Sequence, residues 1–113
     1  MKFLTTTIKR EYMDLILSGV KTIEYKGYID FWKKRIDKIL KDPGYPADYD
    51  INFLCGQIAY KYKITKIVLV DSPKEIAGTA YPKHYEIHFE PLIKPQPEPD
   101  EDFGVIMGWD DLP

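Results

Sequence analysis

Residues 3–26, FLTTTIKREYMDLILSGVKTIEYK, decide the fold. They read as strand, helix, glycine turn, strand. Phe3-Leu4-Thr5-Thr6-Thr7-Ile8 is rich in Thr and apolar residues, a composition that suits a pleated, half-buried strand. From about residue 9 to 18, Tyr12, Met13, Ile16 and Leu17 fall on one helical face. Glu11 sits in the first turn, where the helix dipole favours an anion. Gly19 follows as a residue able to take the left-handed conformation that ends a helix. Residues 22–25 then read as a second strand.

Working outward, a second helix is expected over residues 30–41. Asp30 is placed to cap it, and Ile29, Trp32, Ile36, Ile39 and Leu40 make its buried stripe. Lys34, Lys38 and Lys41 share the opposite face. The loop KDPGYPADYD carries Pro43-Gly44 and Pro46, all turn formers. Residues 51–70 are the sheet-forming heart. Ile58, Tyr60, Tyr62 and Ile64 alternate with Lys61, Lys63 and Thr65, whereas Ile51, Phe53 and Cys55 have the other parity. A bulge or bend near Gly56 is expected to reconcile them. Residues 67–70 are nearly all apolar and end at the turn Asp71-Ser72-Pro73. A late strand carries Tyr85, Ile87 and Phe89 on one face and His84, Glu86, His88 and Glu90 on the other. Several strands with two helices inserted early predict an α+β fold built on a curled sheet or small barrel.

The chain has 113 residues, 44% hydrophobic and 30% charged, the material of one domain with one core. No run approaches a membrane span, and the first residues lack the apolar core of a signal peptide. Cys55 is the only cysteine, so an internal disulfide is excluded and a cytoplasmic location is expected; in its apolar run Cys55 reads as a core residue. Residues 1–66 carry 13 Lys+Arg against 8 Asp+Glu, and residues 67–113 carry 3 against 10. The first part suits a polyanion, although the two halves can also neutralise each other. Residues 94–113 form a Pro-rich acidic extension that ends in the apolar island Phe103-Gly104-Val105-Ile106-Met107-Gly108-Trp109, so the domain is expected to span residues 1–93. The island suits either the domain's own groove or a protein partner.

With strand, helix, Gly turn and strand in place, residues 8–26 resemble the N-terminal signature of the ASCH family, whose motif has the form G-x-K-x-x-E-x-R. Gly19, Lys21 and Glu24 match, and Lys26 stands where the family usually has arginine. The resemblance implies a PUA-like β-barrel with a cleft lined by the motif, and a link to RNA or nucleotides. Some relatives are hydrolases acting on RNA or on acylated cytidine. In the amidohydrolase group the threonine nucleophile falls at the position of Glu24, so that reaction is not carried over.

These residues define the candidate sites. Lysines and a carboxylate lining one cleft can hold a phosphate and accept from a base or ribose edge. The ligand-binding set is therefore Gly19, Lys21, Thr22, Glu24 and Lys26, with Lys21 and Glu24 as acid and base if the protein is a hydrolase. On a regular strand Lys21 and Glu24 face opposite ways. They converge only if Lys21 belongs to the turn after Gly19 or the strand is bulged; otherwise Thr22, Glu24 and Lys26 are a solvated strand face. Lys61 and Lys63, interleaved with Tyr60 and Tyr62, form a second basic stretch, although the alternation turns lysines and tyrosines to opposite faces. His84, Glu86 and His88 are the one constellation with ligand spacing. No Cys-x-x-Cys or His-Glu-x-x-His pattern supports a metal, and no Gly-rich phosphate loop occurs, so no metal and no cofactor is expected. Three classes remain: an RNA- or nucleotide-binding domain, a small hydrolase, or a protein-interaction module working through the C-terminal segment.

Overall fold

The structure, a computed structural model, describes residues 2–92. The expected C-terminal extension and its apolar island lie outside the described residues. The elements are β1 (Lys2–Thr7), α1 (Arg10–Leu17), β2 (Ile23–Gly27), α2 (Asp30–Leu40), β3 (Tyr49–Cys55), β4 (Ile58–Val70), β5 (Lys74–Ile76), β6 (Thr79–Tyr81) and β7 (His84–Pro91). Five strands form one mixed sheet in the order β1-β3-β4-β7-β2, with β1 parallel to β3 and the other neighbours antiparallel. The sheet curls into a half-barrel. Its two outer strands approach each other closely enough for Lys26 on β2 to donate to Thr6 Oγ1 on β1 at 2.6 Å. The expected α+β class, a curled sheet with two early helices, is the observed one. No helix among the described residues is long and apolar enough to cross a membrane.

The parity change is solved differently from expectation. Gly56 does not bulge a continuing strand; the chain reverses there. Cys55 pairs with Ile58 across a two-residue turn, and Gly56 takes φ +62°, the conformation such hairpins need. The hairpin sets Ile51 opposite Tyr62 and Phe53 opposite Tyr60, so odd residues of β3 and even residues of β4 share the inner face. The bulge sits nine residues later. The register with β7 shifts between Ile64 and Lys66, and Thr65 is the extra residue. That lets Ile64 and Ile67, three apart, both enter the core. Tyr85, Ile87 and Phe89 are buried as their alternation predicts, and so is Cys55.

Both helices bury a narrower stripe than expected. In α1 only Met13 and Ile16 are buried, while Tyr12 and Leu17 are about half exposed. Each lies one residue, about 100°, off a buried neighbour, and an eight-residue helix on a curved sheet touches it along one line. In α2, Ile36 and Ile39 are buried and Trp32 packs on the core, but Ile29 and Leu40 are exposed. Asp30 is not the cap. It is the first helical residue, preceded by Ile29 in extended conformation without a side-chain cap bond. Its carboxylate favours the helix through the dipole of the first turn instead.

α2 runs along the seam between the edge strands. Near its start the Trp32 ring lies 4.6 Å from the Lys26 ammonium. Just past its end Asp42 is ion-paired with Lys2 of β1 and accepts from the Gly44 N–H at 2.9 Å and the Tyr49 hydroxyl at 2.7 Å. Lys2 first, then the Gly44 N–H and the Tyr49 hydroxyl, hold the Asp42 carboxyl well below the usual carboxylate range. A depressed folded-state pKa stabilises above the ordinary carboxylate range, and that stability is lost as pH falls. Asp42→Asn should therefore lower the melting temperature near neutral pH and flatten its decline on acidification; an unchanged acid limb in thermal melts across pH would contradict this lock.

β5 and β6 form a separate hairpin anchored on β2. The Tyr81 ring packs against Gly27, where an added Cβ would lie well inside van der Waals contact with the ring. Gly27→Ala should destabilise the protein by about 1–3 kcal/mol through this overlap. Amide exchange should speed up in residues 74–81 more than in β3 and β4; uniform exchange across the sheet would count against a hairpin seated on Gly27.

Candidate ligand cavity beside the second strand

The geometry begins at the end of α1. Gly19 takes φ +83°, its N–H bonds to the Ile16 carbonyl at 3.0 Å, and the Val20 N–H bonds to the Leu15 carbonyl at 2.9 Å. This pattern closes a helix with a left-handed residue and turns the chain sharply. The Lys21 N–H joins the same Leu15 carbonyl at 3.0 Å, so Lys21 belongs to the cap and not to β2, which starts at Ile23. The parity conflict disappears. Lys21 reaches β2 from the turn, while Glu24 and Lys26, two apart, share its inner face.

The three side chains meet. Lys21 Nζ lies 3.2 Å from Glu24 Oε1, and Lys26 Nζ lies 3.2 Å from Glu24 Oε2. Lys21 also donates to the Ile23 carbonyl at 2.6 Å, and Lys26 to Thr6 Oγ1. Glu24 is only 8% exposed. This is not a solvated strand face but a carboxylate clamped on both oxygens. Paired burial of this kind is what permits a charge under a sheet edge. Each ammonium has three N–H donors and these contacts engage two, so a further acceptor can be taken by both lysines.

A cavity of about 540 Å³ opens on the clamp, lined by Lys21, Glu24 and Lys26 of the motif. The other walls are Thr7, Ile8, Lys9 and Tyr12 before and within α1, Tyr25 on β2, and Lys74, Glu75, Ile76 and Ala77 of the β5–β6 hairpin. Four lysines face two carboxylates, so the cavity is cationic. Tyr25 has the Lys74 ammonium 4.1 Å and the Lys21 ammonium 5.3 Å from its ring centre. Both contacts are within cation–π range and pin the lysines at the rim.

The remaining expected residues fall elsewhere. Gly19 is exposed and acts through the backbone, and Thr22 is exposed and does not line the cavity. Lys61 is exposed on the outer face over the Phe3 ring. Lys63 donates to the carbonyls of Pro46, Ala47 and Tyr49 and lies 3.9 Å from Asp50, fastening the loop after α2. Tyr62 packs on Phe53 and Phe89, and Tyr60 accepts from Arg10 through its hydroxyl while the Arg10 guanidinium lies 5.8 Å from its ring centre, so both rings are engaged within the fold. His88 and Glu86 pair at 3.1 Å, and His84 Nδ1 lies 3.0 Å from the Ser72 carbonyl; no group of three or more metal-ligating side chains occurs among the described residues. Lys9, Tyr12, Tyr25 and Lys74 are cavity residues that the motif does not announce. For Lys74 no local signal was available: its hairpin turns at Ala77-Gly78 without the usual turn residues, and the seat beside β2 is a tertiary contact of Tyr81 with Gly27.

Comparison with protein-family models, with curated proteins and with solved structures finds no match to this chain.

Proposed function

We propose that this chain is an ASCH-like, PUA-like barrel domain that binds RNA or a nucleotide-like ligand in the cavity beside β2. One observation carries the reading: the motif residues Lys21, Glu24 and Lys26, distributed over a helix cap and a strand, converge on the wall of a cationic cavity of about 540 Å³. In this reading Lys21 and Lys26 take a phosphate, as charge-assisted donors do. Glu24, with lone pairs left on both oxygens, accepts from a base amine or ribose hydroxyl. Tyr12 and Tyr25 supply apolar surface for a base.

Recognition is better supported than hydrolysis. Both Glu24 oxygens are engaged by ammonium groups, and Thr22, the threonine beside the motif, does not line the cavity. Charge-assisted hydrogen bonds contribute about 1.5–3 kcal/mol, so Lys21→Ala should weaken mononucleotide binding about tenfold or more in low-salt calorimetry. Glu24→Gln should stay within a few-fold on phosphate affinity. Unchanged affinity in Lys21→Ala would remove the cavity as the binding site. Turnover of RNA or acylated cytidine by the natural protein, lost in Glu24→Gln, would establish the hydrolase instead.

A further inference from the structure

α2 covers the seam beside β1 without filling it. A second cavity of about 530 Å³ remains between the first residues of β1 and the helix. Lys2, Phe3, Leu4 and Thr5 all line it, although side chains on a strand alternate between faces. Four consecutive residues border one hollow through the strand's edge. That edge is unpaired: among the described residues β1 pairs with β3 alone. The Lys2 N–H bonds to the Asp48 carbonyl at 3.0 Å and the Ile8 N–H to the Leu54 carbonyl at 2.9 Å, so even-numbered residues turn their backbone groups to β3. Phe3 and Thr5, both exposed, turn theirs the other way, to the cavity.

The facing wall carries charge. Arg35 and Lys38 line it, exposed and one turn apart on α2. The Arg35 guanidinium lies 3.7 Å from the Phe31 ring centre and donates to the Phe31 carbonyl at 2.9 Å, which fixes its place and leaves further N–H donors. The lining carboxylate, Asp42, is occupied by Lys2, the Gly44 N–H and the Tyr49 hydroxyl. The hollow therefore attracts anions, and its edge narrows their class. Phe3 and Thr5 present carbonyl acceptors beside N–H donors. Another polypeptide backbone complements that pattern, whereas a phosphate group supplies acceptors only. Residues two apart on a strand share a face about 6.6 Å from each other, and residues three apart on a helix lie about 5–6 Å apart. Carboxylates at alternate positions of an added strand thus match Arg35 and Lys38.

We propose that this edge docks an extended acidic peptide of a partner protein, with Asp or Glu at alternate positions. The segment adds to β1 as a sixth strand of the main sheet, exchanges backbone hydrogen bonds with Phe3 and Thr5, and sets two carboxylates on Arg35 and Lys38. A second copy of β1 is not the occupant, because Lys2, Arg35 and Lys38 of the two copies would meet as like charges. The site is separate from the cavity at Glu24 and does not depend on nucleotide binding there. The test titrates the natural protein at low salt with acetyl-Thr-Glu-Val-Glu-Val-Thr-amide, followed by backbone-amide NMR. The Phe3 and Thr5 amide signals shift, and their hydrogen exchange slows at least tenfold at saturation. The double substitution Arg35→Ala, Lys38→Ala weakens binding at least tenfold, as does replacing both glutamates of the peptide by glutamine or methylating its backbone nitrogens. No binding, or binding that leaves the Phe3 and Thr5 amides unmoved, overturns the site. Equal binding by the glutamine peptide overturns the charge match, and equal binding by the methylated peptide overturns strand addition. Displacement by inorganic phosphate at the peptide's own concentration overturns the peptide class. Tighter binding once the chain's own acidic run is neutralised (Glu98→Gln, Asp100→Asn, Glu101→Gln, Asp102→Asn) makes that run the occupant and overturns the assignment to a partner.

Discussion

The Lys26 ammonium stands where the three parts of this fold meet. It leaves β2, touches the carboxylate of Glu24, donates to Thr6 on the far edge of the sheet and covers Trp32 of α2. A curled sheet with two open edges has a seam to close, and exposed edges are otherwise managed with charge or a covering element. Here both devices coincide. The helix covers the seam, and a buried ion cluster fixes the distance between the edges. Glu24 cannot be buried without its two lysines, and Lys26 cannot reach Thr6 unless the sheet curls.

That same closure makes the cavity. Glu24 and Lys26 point inward because they alternate with Tyr25 on β2, and Lys21 joins them because the Gly19 cap swings it out of strand geometry. The β5–β6 hairpin supplies the remaining wall, seated on Gly27 by the Tyr81 ring. The result is a cationic hollow whose carboxylate is oriented before any ligand arrives. Pre-oriented groups lose less entropy on binding, which favours recognition.

Much of this was legible in the residues. The α1–Gly19–β2 unit follows from helical spacing, a glycine able to cap and a β-prone strand, and β7 follows from strict alternation. The ion cluster was legible only as a condition: Lys21 had to belong to the turn. Three features were hidden for physical reasons. A two-residue reversal at Gly56 and a bulge near it both account for the same parity change, and only the pairing of Cys55 with Ile58 separates them. The hairpin after residue 73 turns at Ala77 with φ +51°, where a side chain is disfavoured, so the usual turn composition is missing. Lys63 belongs to an apparent basic patch, yet it serves three backbone carbonyls of a loop, a tertiary contact that no local pattern encodes.

The most direct measurement is a side-chain-detected lysine NMR titration of the natural protein with a 5′-mononucleotide. If the Glu24 cluster is the binding wall, the Nζ signals of Lys21 and Lys26 shift together with those of Lys9 and Lys74. Lys33, Lys41, Lys61 and Lys83 stay in place. Shifts confined to lysines outside the cavity, or no shift at saturating nucleotide, would contradict the account.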